Sequence, residues 1–401
     1  MRSIFSIFCA GIYFATCNVI LTAKNQQFTF NFVSFNNEHN IENLVSIDDI
    51  FIYTSTSDNY FKYKKTIDHL FDVEEEQVYS IPNVENIEVY DQSDNTVFIQ
   101  ENELQFKVQE TVPWHLDRIC KRELPLDRTY SYSEKGSCHR NSNVDIETVV
   151  VDTGSVNHIN FGDNQPVFLE NFSGDNIDED CNSHSTHCLG LIGSRSYGVC
   201  KDAKLFAVKV LTCEGSGSTS GVIAGMNYVF NRHLEREKDN PKLRTIMSMS
   251  LGGGKSLAMN RVVERMVKSS DTFYIAVASG NEDSNACNTS PASARGIFTV
   301  NAMNKYDQRA YFSNFGKCTD IYTPGVEILS TVLDNKTAVY SGTSMATPIL
   351  VGVINHYLDE NPHLNMKQLK EKILNDATKN TIDGNPKQTS NLMVFLKRND
   401  E

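Results

Sequence analysis

The chain has 401 residues, 40% of them hydrophobic, and a formal net charge of −13. That length suffices for a large core and about two to three domains. The charge excludes a basic field for nucleic acid, and no CxxC-type cluster offers a metal site.

In chain order, Met1-Arg2 precedes an apolar run over residues 4–21, and Thr22-Ala23 follow it. One early positive charge, an apolar middle and a small-residue exit read as a secretory signal peptide over 1–23. The run lies near the lower length limit for a membrane anchor. Export is the preferred reading because the remaining chain suits it and holds no second span. Residues 24–106 form a small separate domain that carries the acidity, with 17 acidic and 5 basic residues between 24 and 110. Phe28, Phe30 and Phe32 alternate with polar residues as in a half-buried strand. Ile81-Pro82-Asn83-Val84 leads into a second strand marked by Ile87, Val89 and Tyr90, and the charged residues 72–77 lie between the two.

Beyond a turn-rich stretch over 120–143, Val149-Val150-Val151-Asp152-Thr153-Gly154 reads as a buried strand ending in a carboxylate and a turn. Open α/β sheets place their chemistry at that end. His184 opens a helix in Asn182-Ser183-His184-Ser185-Thr186-His187-Cys188-Leu189-Gly190. Strands over 205–211, 245–251 and 273–278 alternate with helices marked by Val222, Ile223, Met226, Val229 and Phe230, and by Val262, Val263, Met266 and Val267. The alternation predicts an α/β fold, a parallel doubly wound sheet with helices on both faces, preceded by a small α+β domain. In Gly342-Thr343-Ser344-Met345-Ala346-Thr347-Pro348 a serine stands among small residues at the start of a helix. Pro348 falls in or near the first turn. Negative charge developing beside Ser344 meets unpaired N–H groups and the positive end of the dipole. Met366, Leu369, Ile373 and Leu374 mark a last helix.

The three motifs around Asp152, His184 and Ser344, in that order, resemble the subtilisin-like serine proteases. Ser194-Arg195-Ser196-Tyr197-Gly198-Val199 and Gly215-Ser216-Gly217-Ser218-Thr219-Ser220-Gly221 resemble the proteinase K branch in particular. The resemblance runs from about residue 113 to about 357. It implies Ser344 as nucleophile, His184 as general base, Asp152 as its orienter, and Asn281 in Ala278-Ser279-Gly280-Asn281 as an oxyanion donor beside the Ser344 N–H. His187, three residues after His184, receives a packing role; no third ligand accompanies the two histidines as metal ligands. Asp163, Asp175, Asp178 and Asp180 lie in a polar loop and read as solvated, and Ser341 is the rival serine. Gly215-Ser216-Gly217 and Ser250-Leu251-Gly252-Gly253 are implied to flank an extended substrate and pair with its main chain. Gly253 and Gly280 leave room for a large apolar or aromatic side chain before the scissile bond. Thr219 replaces a tyrosine, which weakens the distal apolar pocket, and Ser185 replaces the usual glycine, which narrows the adjacent subsite.

The resemblance further implies an autoprocessing propeptide over 24–106 that inhibits the peptidase domain over 107–401. Cleavage is expected between Glu103 and Glu110, because Pro113-Trp114-His115-Leu116-Asp117-Arg118-Ile119 resembles the start of mature enzymes. Of ten cysteines, Cys9 and Cys17 leave with the leader. The resemblance pairs Cys181 with Cys213 and Cys287 with Cys318; Cys120 is assigned to Cys138, Cys188 packs beneath the histidine as a thiol, and Cys200 is left without an assigned partner. Catalysis needs no cofactor. A structural calcium is implied at Asp320 with the backbone oxygens of Arg295 and Ile297. Asn171, Asn288 and Asn335 lie in glycosylation sequons. The expected product is a secreted, monomeric serine endopeptidase acting on polypeptides, with no nucleic-acid partner and no stable membrane span. The alternative is an inactive exported binding protein on the same scaffold.

Overall fold

The structure, a computed structural model, describes residues 18–23, 42–47, 50–56, 71–82, 85–90, 99–101, 106–133, 138 and 143–397. A nine-stranded sheet forms the centre. Its strands run in the order Val167–Asn171, Lys204–Lys209, Asp145–Asp152, Leu243–Met249, Phe273–Ala278, Phe298–Met303, Ile321–Pro324, Leu392–Met393 and Thr378–Lys379. All pairs are parallel except the last. The inner strands are buried along their whole length, so they read as continuous apolar runs. Helices Thr219–Asp239 and Leu257–Ser269 connect parallel strands, as the alternation predicts. Helix Thr343–Glu360 is buried from Thr343 to Asp359, which explains apolar residues around its full circumference.

The described residues of the N-terminal region form a four-stranded antiparallel sheet in the order Glu42–Ile47, Ile50–Thr56, Asn18–Ala23, Phe71–Glu75. Asn18–Ala23, read as the end of the leader, is therefore an inner strand of this sheet. The charged stretch read as a connector begins with a strand, Phe71–Glu75. The expected strand around Phe28, Phe30 and Phe32 lies outside the described residues, as do Cys9 and Cys17. Glu85–Tyr90 is a strand, paired with Lys336–Ser341. Phe106–Glu110 pairs with Thr129–Ser133, a strand within the stretch read as turns.

Cys181–Cys213 and Cys287–Cys318 are disulfides. The third bridge joins Cys138 to Cys200, with Cα atoms 5.4 Å apart, in place of the expected Cys120–Cys138. Sequence spacing carries no information about which loops meet, and here the fold brings residue 138 to the turn before Lys204–Lys209. Cys188 is a buried thiol.

Candidate active site

Asp152 ends its strand at the edge of the helix His184–Gly193. Its carboxylate accepts from the Thr153 N–H at 2.7 Å and faces His184 Nδ1 at 2.8 and 3.0 Å. Both side chains are buried. Gly154 turns the chain away with φ +116°, and a Cβ there would meet the Asp180 and Glu179 backbone at 2.9 Å, so the Asp-Thr-Gly motif needs its glycine.

Asp180 is not solvated, contrary to the sequence reading. It is 1% exposed and accepts from Thr153 Oγ1, the Asn182 and Ser183 N–H groups, and the Thr186 N–H and hydroxyl, at 2.6–3.1 Å. It thus satisfies the start of the His184 helix, where N–H groups lack intrahelical partners. The only sequence signal was its position four residues before the histidine. Asp163 and Asp178 are exposed as expected, whereas Asp175 is half-buried and 3.2 Å from Lys209. The left-handed residue of this turn is Ser183, φ 85°. Ser185 is buried with a negative φ, and its N–H donates to Thr153 Oγ1.

His187 has the packing role the resemblance assigns. Its Nε2–H faces the Ile328 and Ala338 carbonyls at 3.1 Å, and its ring stacks on Tyr340 at 4.5 Å. Burial pushes its pKa down to about 3, so it stays neutral. Cys188 lies with Asp152 and His184 in a cluster that could hold a metal. Burial and the neighbouring Asp152 carboxylate push its thiol well up, and it donates to the Ser344 carbonyl at 3.5 Å.

Ser344 is the second residue of helix Thr343–Glu360. Pro348 lies in the second turn rather than the first, and this has a consequence for the serine. Without an N–H, Pro348 leaves the Ser344 carbonyl with no i+4 donor. Ser250 Oγ fills the gap at 2.9 Å, together with the Cys188 thiol. The proline thereby ties the Ser344 helix to the Ser250 segment and the His184 helix. Asn281 Oδ1 accepts from the Thr343 N–H at 2.9 Å and its hydroxyl at 2.7 Å. That fixes which end of the amide points away from the helix. The oxygen of rival Ser341 accepts from the Glu327 N–H at 2.9 Å.

The fold thus gathers Asp152, His184, Ser344 and Asn281, which the sequence spreads over some 190 residues. One bond is not made: the Ser344 hydroxyl donates to the Ser250 carbonyl at 3.2 Å, and His184 Nε2 is buried without a hydrogen-bond partner.

The groove beside Ser344 holds a segment of the same chain. Val78–Ser80 pairs antiparallel with Ser216–Ser218, Gly217 facing Tyr79. Ser80 exchanges two backbone bonds of 3.1 Å with Gly252, and the Ile81 N–H donates to the Gly215 carbonyl at 3.0 Å. The buried Tyr79 ring lies against Gly253, where a Cβ would stand 3.3 Å from it. Gly215, at φ +76°, leaves room for Ile81, whose Cδ1 a Cβ would meet at 2.6 Å. Thr219 receives the Gln77 N–H on its hydroxyl at 2.9 Å. Upstream, Glu74 accepts from Ser256 Oγ and the Ala258 N–H, and Glu76 from the Ser220 N–H and hydroxyl. Two carboxylates thus cap the two helices that begin on either side of the groove. Leu251, Ala278 and Ser279 are buried in the segments that line it.

Asp320 does not sit in a cation-ready oxygen cage. Its Oδ2 lies 2.7 Å from Lys370 Nζ and accepts from the Thr299 N–H at 2.8 Å. The same ammonium donates to the Ile297 carbonyl. The Arg295 side is exposed, its N–H donating to Glu264. A calcium ion would have to displace an ammonium that already holds two of the three expected donors, so these residues do not fit the metal. The sequence offered no link between residue 370 and residue 320.

Residues 146–392 match the Peptidase S8 model, the subtilase family. The chain is 39% identical over 320 residues to the subtilisin-like serine protease Rho m 2.0101 of Rhodotorula mucilaginosa, covering 74% of this chain and 91% of that protein. Alkaline protease 2 of Aspergillus fumigatus is 38% identical over 341 residues, 80% of this chain and 66% of its own length. Cerevisin of Saccharomyces cerevisiae is 38% identical over 309 residues, and the match spans 48% of cerevisin. A crystal structure of a cold-adapted subtilisin-like serine proteinase superposes with a TM-score of 0.64 at 37% identity, covering 72% of this chain and all of that one. The chain belongs to the subtilase family, as a subtilisin-like serine peptidase of the proteinase K-like branch.

Proposed function

We propose that the chain is an exported serine endopeptidase made as a zymogen. Ser344 Oγ attacks the scissile carbonyl while His184 Nε2 takes its proton and Asp152 holds the imidazole tautomer. The Asn281 amide and the Ser344 N–H receive the oxyanion at the helix start. His184 then protonates the leaving amine, and water hydrolyses the ester. The buried Asp152–His184 pair, joined to the Ser344 helix through Cys188, is the observation that carries this reading. Labelling with a serine-reactive phosphonate, lost in Ser344→Ala, tests it; a folded chain that never labels is the inactive binding protein instead.

The occupied groove supports inhibition by the N-terminal domain, and the Ser344–Ser250 bond supports a latent resting state. Recognition through main-chain pairing supports broad specificity, with large apolar or aromatic side chains preferred before the scissile bond. The buried Tyr79 supports an apolar distal subsite in spite of Thr219. Export rests on the apolar N-terminal run, and the strand Asn18–Ala23 argues for a leader that ends before Asn18. Among the described residues no helix is long and apolar enough to cross a membrane. Lys370, rather than calcium, neutralises Asp320.

A further inference from the structure

Lys209 breaks the pattern of its strand. Leu205-Phe206-Ala207-Val208 before it and Val210-Leu211 after it are apolar, yet the lysine side chain between them is 0% exposed. A buried ammonium costs stability unless it is paired, and an apolar residue would fill the same space without that cost. A charge placed against the local pattern points to a need other than packing.

The sheet register brings that charge to the site. Lys209 stands opposite Asp152 on the neighbouring parallel strand. Such strands lie about 5 Å apart and residues directly opposite share a face, so the lysine leaves the sheet on the side of the Asp152 carboxylate. Its ammonium crosses to the next residue of that strand and donates to the Thr153 carbonyl at 3.0 Å. The N–H groups of Val210 and Leu211 donate to the Asp152 carbonyl, at 2.9 and 3.1 Å. Asp175 Oδ2 lies 3.2 Å from the ammonium. Burial alone would raise the Asp175 pKa, but bonds from the Ile177 N–H, Ser173, Asn171 and Lys209 outweigh it and hold the group at about 2. Asp175 therefore stays a carboxylate and balances the lysine.

Thr153 is the residue where the two halves of the dyad meet. Its N–H donates to Asp152 Oδ1 at 2.7 Å, its hydroxyl donates to Asp180 at 2.9 Å, and the Ser185 N–H donates to the same hydroxyl oxygen at 3.1 Å. One residue thus sets the turn of the Asp152 carboxylate and ties down the start of the His184 helix. Lys209 holds its remaining polar group, the carbonyl, just before the chain swings away at Gly154.

Resting on the endopeptidase reading, we propose that Lys209 is a positioning residue: by holding the Thr153 carbonyl it keeps the Asp152 carboxylate turned toward His184 Nδ1, with Asp175 as the counter-ion that lets an ammonium stay buried there. Its bonds go to Thr153 and Asp175, so it acts through the dyad and not on substrate. A carboxylate that drifts from Nδ1 no longer fixes the tautomer that leaves Nε2 free to take the serine proton. Main-chain pairing at Gly215–Gly217 and Ser250–Gly253 does not involve this turn. The loss therefore falls on kcat.

Two variants separate position from stability. Lys209→Met keeps a side chain of similar length but leaves the Asp175 carboxylate without its cation. Lys209→Met combined with Asp175→Asn removes both charges. In the Ser344→Ala background, the double variant is expected to recover most of the thermal midpoint lost in the single one. In the active enzyme, its kcat on a peptide substrate is expected to stay about ten- to hundred-fold low with KM unchanged, the effect of a misplaced catalytic group. Proton NMR of the full-length Ser344→Ala chain reads the dyad without any turnover. The low-field resonance of the His184 Nδ1 proton is expected to move upfield in the double variant. A double variant with the kcat of the unsubstituted enzyme overturns the proposal, and so does a loss confined to KM. An unmoved resonance overturns it whether or not the midpoint recovers. An unsubstituted chain that folds but neither labels with phosphonate nor cuts peptides defeats the endopeptidase reading instead, and the resonance then decides the role of Lys209 by itself.

Discussion

Lys370 holds its ammonium 2.7 Å from the Asp320 carboxylate while donating to the Ile297 carbonyl, and so stands where a metal ion was expected. Both side chains are about four-fifths covered. Burial raises the Asp320 pKa, and Lys370 works against that rise. Removing one partner of such a pair costs about 3 kcal/mol by leaving a covered charge alone. In the Ser344→Ala background, which cannot digest itself, Lys370→Met is expected to lower the thermal midpoint by several degrees. Chelation is expected to leave the unsubstituted midpoint unchanged, and a drop on adding EDTA would show that a metal holds this corner after all.

Asp180 is expected to matter to activity without touching substrate. It accepts five hydrogen bonds at the start of the His184 helix. Asp180→Asn keeps the shape but turns one acceptor oxygen into a donor facing N–H groups. A loss of about 2–3 kcal/mol of stability is expected, with a fall in kcat greater than any rise in KM because the histidine is displaced. Urea unfolding and steady-state kinetics measure the two effects, and wild-type kinetics in this variant would contradict the positioning role.

Asn281 is expected to act on the chemical step alone. Asn281→Ala should lower kcat by about 10²–10³, the size known for the corresponding change in subtilisin, with KM little moved. A change confined to KM would place the residue in ground-state binding. Thr343 depends on the same oxygen, so a small loss of stability should accompany it.

Most of the candidate site was legible because each of its residues lies in a local pattern: an apolar run ending at Asp152, a helix start at His184, a serine among small residues at Ser344. What the sequence hid was contact between distant segments. Asp180 reads as one more acid in a polar loop until Thr153 and Thr186 close around it. Lys370 lies on a helix whose face toward Asp320 no local pattern reveals. Cys138 was assigned to Cys120 when Cys200 was the neighbour. The strand Asn18–Ala23 lies in the apolar run that reads as a leader, since a buried strand and the end of a leader need the same kind of residue.

Acid should destabilise the fold through its buried histidines. Burial lowers His115 to about 4 and His187 to about 3, and it lowers His233 as well. In the unfolded chain all three titrate near 6.5. Above pH 6.5 both states are neutral, and the folded state keeps its full stability. As pH falls below 6.5 the unfolded chain takes up protons that the folded one refuses, so stability is lost progressively toward pH 4, by several kcal/mol at pH 5. Urea midpoints of the Ser344→Ala chain at pH 7.5, 6 and 5 measure this, and a constant midpoint over that range would contradict it.

Release of the N-terminal domain should depend on Glu74 and Glu76. Each caps a helix of the catalytic domain, worth about 0.5–1 kcal/mol per carboxylate at a helix start. The double variant Glu74→Gln, Glu76→Gln is expected to shorten the lag before activity appears in the refolded full chain by several-fold. An unaltered lag would show that the strand Val78–Ser80 alone holds the groove closed.

The central claim is that Ser344 is a nucleophile activated by His184 and Asp152. Phosphonate labelling of the processed chain, with the adduct mapped by mass spectrometry, tests it most directly. The account predicts one adduct on Ser344, absent in His184→Ala and sharply slowed in Asp152→Asn. An adduct on another serine, or labelling that survives the loss of His184, would contradict it.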